Sequence, residues 1–218
     1  MDDEEPERER DELEGGPRRE VEAPIRSGHL VVLRRHVPEN RAAFQRWYAD
    51  QEIARLLRHD QRPLNEIQSR GYFDSIILPM SARGTCYAIH EKSTDRLIGS
   101  TALTDFVGVP HPSALFRIVI GEKDTWGKGY GTEATRLVVE EAFEHHLCSE
   151  VRLEVFRHNQ RAISAYERVG FRRTGSHIEW VGHERFELNV IEMAISPDEY
   201  WNAAQQSPPE LFSTNHRD

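Results

Sequence analysis

The chain has 218 residues, 38% of them hydrophobic, and a formal net charge of −9 at pH 7. This composition is typical of one globular domain with a tail. The acidity gives no support to nucleic-acid binding, which requires a basic surface, and it favours cationic substrates. No apolar run is long enough to span a bilayer, so we expect no contact with a membrane.

The charge is concentrated at the N-terminus, where residues 1–24 hold eleven acidic side chains and four arginines. We predict a disordered acidic tail there, a folded domain over 25–200, and a flexible polar tail over 201–218. The opening segment lacks the apolar core of a signal peptide. Cys86 and Cys148 form no Cys-x-x-Cys motif, which predicts a cytoplasmic protein with both thiols reduced and buried.

Hydrophobic periodicity predicts alternating strands and helices. In chain order these are a strand over 30–34, one or two helices over 38–57, a helix over 64–78 that ends before Pro79, strands over 86–91, 97–104 and 115–121, a helix over 132–146, a strand over 151–156, a helix after Asn159, and a hairpin of 176–180 and 185–195 around Gly182.

A run of alternating glycines, Trp-Gly-Lys-Gly-Tyr-Gly-Thr at 126–132, joins a β-branched strand to a periodic helix. Glycines let the backbone approach an anion, and the free N–H groups at a helix start bind phosphate oxygens. The run therefore predicts a pyrophosphate cradle. Thr132-Glu133 after the last glycine does not fit a P-loop, and the G-x-G-x-G spacing does not fit the dinucleotide fingerprint. A plain glycine-rich turn is the alternative.

A second pattern follows downstream, in register with the first. It consists of Leu153, Val155, Asn159, Ala162, Tyr166, Gly170 and Phe171. Asn159 is a good N-cap for the helix that follows, and Gly170 stands where a left-handed C-terminal cap belongs. Apolar residues at helical spacing between them predict one buried helix face.

Together the two patterns resemble the general N-acetyltransferase (GNAT) superfamily. Gly129 and Gly131 fill the glycine positions of its acetyl-CoA loop, Q/R-x-x-G-x-G/A, and the downstream residues match L-x-V-x-x-x-N-x-x-A-x-x-x-Y followed by G-F. Trp126 at the Gln/Arg position, with Thr-Glu-Ala after the loop, resembles the branch that acetylates ribosomal-protein N-termini, spermidine and some aminoglycosides.

The resemblance implies an α/β (α+β) fold: a mixed, mostly antiparallel seven-stranded sheet with helices on both faces. Its fourth and fifth strands, here 115–121 and 151–156, would splay apart and hold the pantetheine arm of acetyl-CoA. The residues that it implies for acetyl-CoA binding are Ile118, Val119, Ile120, Trp126, Gly127, Lys128, Gly129, Tyr130, Gly131, Thr132 and Asn159.

Tyr166 matches the family's tyrosine that protonates the departing thiolate; the alternative is a core tyrosine on an apolar helix face. Glu154 is a candidate general base, because strand alternation turns it away from Leu153 and Val155. Other carboxylates that could serve are Glu122, Asp124 and Glu179.

The acceptor is less well specified by the sequence. Leu115 or Phe116 stands where spermidine-type enzymes carry an acid, which counts against polyamines. Trp47-Tyr48-Ala49-Asp50 resembles the helix that lines the acceptor site in the same branch, although a core-facing aromatic pair is the preferred interpretation.

These observations predict an acetyl-CoA-dependent N-acetyltransferase. Its acceptor would be a primary amine, either a protein N-terminus or a small molecule, that attacks the thioester directly. A sensor that binds acyl-CoA without turnover, or a transferase of a bulkier acyl group, is the alternative. We predict no metal, because adjacent side chains such as His145 and His146 cannot easily chelate one ion on a helix. We expect no nucleic-acid partner, and the resemblance leaves a homodimer open.

Overall fold

The computed structural model describes residues 23–181 and 186–206, so the acidic tail up to residue 22, the turn around Gly182 and the tail beyond residue 206 lie outside the described residues. Eight strands form one sheet in the order β1-β2-β3-β4-β5-β6-β8-β7. They are β1 Arg26–Ser27, β2 Val31–Arg34, β3 Cys86–Glu91, β4 Leu97–Val107, β5 Ser113–Ile120, β6 Glu150–Phe156, β7 Arg172–Val181 and β8 Phe186–Ile195.

Within residues 23–181 and 186–206, seven α-helices pack on the sheet. They are α1 Arg41–Tyr48, α2 Gln51–Leu57, α3 Glu66–Tyr72, α4 Leu78–Ala82, α5 Tyr130–Glu144, α6 Gln160–Val169 and α7 Pro197–Gln206. Short 3-10 turns at Pro38–Asn40 and Lys123–Thr125 precede α1 and the glycine run, and a π turn at Phe73–Ile77 joins α3 to α4. The predicted mixed sheet with helices is confirmed.

Antiparallel pairing dominates the sheet, and among the described strands only β5 and β6 run parallel. Their pairing is short, because it spans Ser113 with Glu150 through Leu115 with Arg152 and then stops. The other edge of β5 stays paired with β4 as far as Ile120. The two strands therefore diverge beyond Leu115, as the resemblance implied.

Three details differ from the sequence-based expectations. The sheet has eight strands rather than seven, because the two residues of β1 pair with β2. The helix after Asn65 does not end before Pro79: it passes through a π turn, in which Leu78 donates its N–H to the Phe73 carbonyl, and continues to Ala82. The wider turn moves backbone carbonyls away from the proline ring, which would clash in a regular helix.

The third difference concerns the C-terminal boundary. Helix α7 runs from Pro197 to Gln206, so the boundary predicted at residue 200 falls inside a helix. Tyr200 explains the ordering, because its side chain is fully buried and its hydroxyl donates a 2.6 Å hydrogen bond to Glu140 Oε1. Burial of a large aromatic ring is a substantial stabilising contribution, of roughly 1.5–3 kcal/mol.

Two large apolar clusters lie on opposite faces of the sheet, and a third, small one is formed by Phe156, Leu188 and Val190. One packs α5, α6 and α7 against it, around residues such as Val138, Leu153 and Ile163. The other packs α1 to α4, around Phe44 and Phe73. The two cysteines are free and buried, as predicted. Burial raises the pKa of Cys86 to about 12 and that of Cys148 to about 11, so both remain thiols.

A buried carboxylate ties the N-terminal strands to α5. Glu133 accepts hydrogen bonds from the backbone N–H groups of His29 at 2.9 Å, Leu30 at 2.6 Å and Val31 at 2.7 Å. The Thr-Glu-Ala segment after the glycine run thus has a structural role, because its glutamate satisfies three backbone donors in the turn between β1 and β2.

Stability should fall in mild acid because of His36. Its ring is buried and bonded to Ser100 Oγ at 2.9 Å and to the Asn40 amide. Burial, helped by the charge of His90, lowers the His36 pKa from 6.5 to about 4. In this pH range the unfolded chain binds a proton at His36 that the folded chain does not bind. The free energy of unfolding therefore falls by up to about 3 kcal/mol between pH 6.5 and pH 4.

Urea denaturation across that pH range measures this loss. His36→Gln should flatten the pH dependence of the free energy of unfolding, although the variant is less stable overall. His111→Gln, at an exposed histidine, is the matched control and should leave the slope as it is in the original chain. An unchanged slope in His36→Gln would show that other groups cause the acid sensitivity.

Candidate active site

The glycine run forms an open loop that leads directly into α5. Gly127 and Gly129 have φ angles of +77° and +90°, a left-handed conformation that favours glycine. Gly129 is the N-cap of α5 and offers no side chain to its first N–H groups. The first intrahelical bond runs from Glu133 N–H to Gly129 O, so the N–H groups of residues 130–132 have no acceptor among the described residues.

Trp126 takes a specific place beside this loop. Its indole Nε1 donates a 2.7 Å hydrogen bond to the Ile120 carbonyl at the end of β5. The guanidinium of Arg161, on the first turn of α6, lies 3.7 Å from the centre of the Trp126 ring, a cation–π contact. Burial lowers the pKa of Arg161, which nevertheless stays charged. The tryptophan thus brings an arginine to the loop, at the position where Gln or Arg is usual.

The backbone of β5 presents free donors to the gap between β5 and β6. Gly121 donates its N–H to Ile98 O on β4, so strand alternation turns the N–H groups of Ile118 and Ile120 to the opposite side. Val119 N–H instead faces β4. Because pairing with β6 ends at Leu115, the donors at 118 and 120 have no strand partner on that side.

Asn159 and Tyr166 lie on α6, across the gap from this backbone. Asn159 caps the helix, since its Oδ1 accepts a 3.2 Å hydrogen bond from Ala162 N–H. Gly170 closes the helix with a φ of +109°. Both predicted caps are confirmed. Tyr166 is 8% exposed and packs edge-on against Phe116, and burial raises its pKa well above the usual range. Its hydroxyl has no hydrogen-bond partner among the described residues.

These groups line one cavity of about 160 Å³, which we call the loop cavity. Of the residues predicted to bind the cofactor, it gathers Ile118, Val119, Ile120, Trp126, Gly127, Gly129, Gly131, Thr132 and Asn159, together with Tyr166. Lys128 and Tyr130 are not part of its lining. Lys128 is exposed, and the Tyr130 hydroxyl donates a hydrogen bond to Glu91.

A larger cavity, of about 540 Å³, lies between the sheet and α1 to α4. This helical cavity has a sheet floor and aromatic walls. Its lining includes Tyr48, Tyr72, Ser100, Thr101, Ala102 and Arg117. It shares Leu57, Ile118 and Val119 with the loop cavity, so the two meet at β5. In the Trp-Tyr pair of α1, Trp47 is a core residue at 2% exposure, whereas Tyr48 reaches this cavity.

A third cavity, of about 70 Å³, fills the gap between β5 and β6 and adjoins both others. Glu154 lines it together with Tyr166 and His59. His59 also lines the helical cavity. Among the other carboxylates that the sequence offered, Glu122 bonds to Trp47 and Asp124 to Arg96.

His59 belongs to a chain of alternating rings and carboxylates. Its Nδ1 hydrogen-bonds to Glu179, whose other oxygen lies 3.1 Å from His177 Nε2, and His177 Nδ1 lies 2.9 Å from Glu192 Oε1. Burial alone would raise the pKa of Glu179, but the hydrogen bonds from the two histidines lower it. Hydrogen bonds to Glu179 and Glu192 raise the pKa of His177.

The hydrogen bond to Glu179 determines which nitrogen of His59 carries a hydrogen. An ionised carboxylate can only accept, so His59 Nδ1 carries a hydrogen, and in the neutral form of the ring the lone pair is on Nε2. The sequence does not identify His59, Arg117 or Arg161 as site residues. No motif marks them, because His59 and Glu179 are 120 positions apart and meet only in the folded chain.

Comparison with known proteins places this geometry in a family. Residues 31–172, more than half of the chain, match the sequence model of the acetyltransferase (GNAT) domain. The chain belongs to the GNAT acetyltransferase family. This confirms the predicted family and the prediction that the chain is an acetyltransferase. No curated protein matches it significantly in sequence.

Solved GNAT structures share the fold at low identity. An acetyltransferase of the family from Bacillus anthracis superimposes with a TM-score of 0.69 at 15% identity, covering 80% of this chain and 99% of that one. Spermidine N-acetyltransferase from Vibrio cholerae, in complex with CoA and spermine, gives 0.67 at 19% identity, covering 80% and 100%. Mycobacterium smegmatis RimJ, in complex with CoA-disulfide, gives 0.63 at 18% identity, covering 78% and 83%.

Two further observations bear on the predictions for metals and membranes. Within residues 23–181 and 186–206, no three or more His, Cys, Asp or Glu side chains are grouped as a metal ion would require. In the same part of the chain, no helix combines the length and the apolar character needed to cross a membrane.

The conformation of the loop leads us to expect that a substitution at Gly129 strongly weakens coenzyme A binding. Valine there would force a β-branched residue into the left-handed region, bring its Cβ to 3.3 Å from Leu30 Cδ1, and add bulk next to the free N–H groups at the start of α5. We expect Gly129→Val to weaken coenzyme A binding more than tenfold by isothermal titration calorimetry, a change of over about 1.4 kcal/mol.

Gly84→Val is the matched control. Gly84 has a similar φ of +80°, and a Cβ added there would meet no atom within 4 Å, but it lies away from the loop cavity. The substitution imposes comparable backbone strain without covering the cradle, so affinity for coenzyme A should be retained. Equal affinities of the two variants would contradict a role for the loop in anion binding.

Proposed function

We propose that this chain is an acetyl-CoA-dependent N-acetyltransferase that acetylates a primary amine. The observation that carries this proposal is the meeting of two cavities at Ile118 and Val119, with Tyr166 beside them. Family membership supports acetyl transfer, and the spermidine N-acetyltransferase and RimJ structures hold CoA or a CoA derivative. The loop cavity would take the coenzyme and the helical cavity the acceptor.

The diphosphate of the coenzyme fits the glycine loop. The unbonded N–H groups of residues 130–132 and the positive end of α5 suit an anion, and the left-handed glycines leave the approach open. Arg161, held over Trp126, adds a positive charge to the same cavity. The free amide of Asn159, whose oxygen caps α6, would hydrogen-bond the pantetheine arm.

The free N–H groups of β5 would polarise the thioester carbonyl. Ile118 and Ile120 point their N–H groups into the gap, and such fixed donors stabilise the oxyanion that develops as the amine attacks. Val119 contributes its side chain rather than its N–H, since that N–H faces β4. The site needs no charged side chain for this step.

A neutral amine requires a base that removes its proton. His59 borders both the helical cavity and the gap, and its hydrogen bond to Glu179 uses Nδ1, which leaves Nε2 to accept a proton from the amine. Imidazole is the side chain used most often in this role. The base predicted from the sequence, Glu154, lines the gap but not the helical cavity. We therefore propose His59 as the base, and Glu154 stays a prediction.

The departing thiolate would receive a proton from Tyr166. The raised pKa keeps its phenol protonated, and the hydroxyl has no competing partner among the described residues. As the N–C bond forms and the C–S bond breaks, the proton of the amine moves to the base. The phenol donates its proton, or a hydrogen bond, to the departing sulfur. A hydrogen bond to the thiolate suffices where full transfer is uphill.

The direct test follows thiol release from acetyl-CoA with a panel of amines. Turnover with a primary amine supports the proposal. Saturable coenzyme binding without turnover of any amine would favour an acyl-CoA sensor, and turnover only with longer acyl chains would favour the bulkier acyl group. The cytoplasmic setting, the absence of nucleic-acid and membrane partners and the homodimer stay predictions.

Tyr166→Phe should separate catalysis from binding. Loss of the hydroxyl removes the proton donor but keeps the ring that packs on Phe116. We expect kcat to fall by roughly ten- to a hundredfold while the affinity for coenzyme A changes little. Tyr87→Phe, at a buried tyrosine outside the three cavities, should keep kcat. Full activity of Tyr166→Phe would refute the acid role.

A pair of variants distinguishes the two candidate bases. His59→Gln should lower kcat/KM by about a hundredfold or more and remove the rise of kcat/KM with pH that an imidazole base produces. Glu154→Gln should keep that rise. The reverse pattern, with the pH dependence lost in Glu154→Gln alone, would assign the base to Glu154. The measurement is the pH profile of thiol release.

A further inference from the structure

One arginine in the helical cavity has no counter-charge among the residues that the structure describes. Arg117 lies on β5, next to Ile118, and strand alternation directs it to the face covered by α1 to α4. Its side chain is exposed to the cavity and forms no ion pair or hydrogen bond with any residue that the structure describes. Nothing in the proposed transfer steps uses it.

The other charges in this cavity cancel each other. Arg58 forms a two-point pair with Asp60, with Nε 3.0 Å from Oδ1 and Nη2 2.8 Å from Oδ2. Asp60 is the only acidic residue in the described lining. His59 is hydrogen-bonded to the carboxylate of Glu179, so Arg117 carries the one charge in the described lining that has no opposite charge bonded to it.

Two phenols beside Arg117 can donate hydrogen bonds. Tyr48 and Tyr72 line the same cavity, and burial raises the pKa of each, an effect that the positive charge of Arg117 partly offsets. Both therefore remain protonated near neutral pH. A guanidinium with neighbouring O–H donors is a combination that suits a carboxylate, which can accept two parallel bonds from arginine.

We propose that the acceptor amine carries a carboxylate, which Arg117 binds in the helical cavity. This inference rests on the proposed function. Arg117 and Ile118 are adjacent on β5, so the carboxylate and the reacting nitrogen belong to one short molecule or to the first residues of a peptide. A polyamine is disfavoured, because its second ammonium group would meet an unpaired positive charge.

Paired acceptors test the proposal. The ω-amino carboxylates from glycine to 5-aminopentanoate are compared with the corresponding ω-amino amides, which lack the negative charge. We expect the best carboxylate to exceed its amide roughly ten- to a hundredfold in kcat/KM, mostly through KM, as for a charge-assisted hydrogen bond. Spermidine should be a poor acceptor.

Variants at Arg117 supply the decisive comparison. Arg117→Gln should abolish the preference for carboxylates and improve the relative rate with spermidine, while Arg117→Lys should keep a weaker preference because it loses two-point binding. Arg70→Gln is the matched control, since it removes the same charge from an exposed helix position outside the cavity. Its preference should equal that of the original chain.

A second measurement does not depend on turnover. Binding of 4-acetamidobutanoate, a product analogue without a free amine, is followed in the presence of coenzyme A by NMR of the arginine side-chain Nε–H groups. We expect saturable shifts of the Arg117 signal, and no binding to Arg117→Gln.

The two measurements keep the two proposals apart. If no amine is acetylated but the analogue shifts Arg117, the acetyltransferase proposal fails and the carboxylate site stands. If amines are acetylated without preference for carboxylates, and Arg117→Gln changes neither preference nor binding, the carboxylate site is refuted and the transferase stands.

Discussion

Strands β5 and β6 pair over only three positions before they separate, and all three cavities border that separation. A sheet that stayed closed would satisfy every backbone group and leave no room for a ligand. Here the N–H groups of Ile118 and Ile120 face a gap, and buried donors without partners are unfavourable. The fold accepts that cost along one short edge, where a polar ligand or water can supply the missing acceptors.

The two faces of the sheet carry different helices and different cavities. Helices α5 and α6 form one layer, and their N-termini both point at the loop cavity through the glycine run and Asn159. Helices α1 to α4 form the other layer and enclose the helical cavity. The first layer consists of motif residues that act through the backbone, whereas the second is built from side chains in helices joined by short loops. In the proposed function, cofactor recognition and acceptor recognition are thus assigned to different parts of the chain.

This division explains what could be predicted from the sequence. The layer of α5 and α6 uses local signals, such as left-handed glycines and an Asn cap, so its strands and helices could be predicted from residues 115–171. The proposed acceptor site, in the layer of α1 to α4, depends on tertiary contacts that no local pattern encodes. His59 meets Glu179 across 120 positions, and Arg117 is marked only by the lack of a partner among the described residues. The continuation of the helix through Pro79 was missed because a π turn, which periodicity does not signal, accommodates the ring.

The N-termini of α3, α5 and α6 are capped in different ways. A reciprocal capping box closes α3, and Asn159 closes α6, but α5 begins at Gly129 with no side chain to complete it. Any anion held there finishes the helix, so part of its binding free energy is also free energy of folding. At a ligand concentration of a hundred times Kd the gain is about 2.7 kcal/mol. The melting temperature of this chain should then depend on the ligand concentration of the solution. A preparation from which the ligand has been removed should melt at a lower temperature than one that retains it.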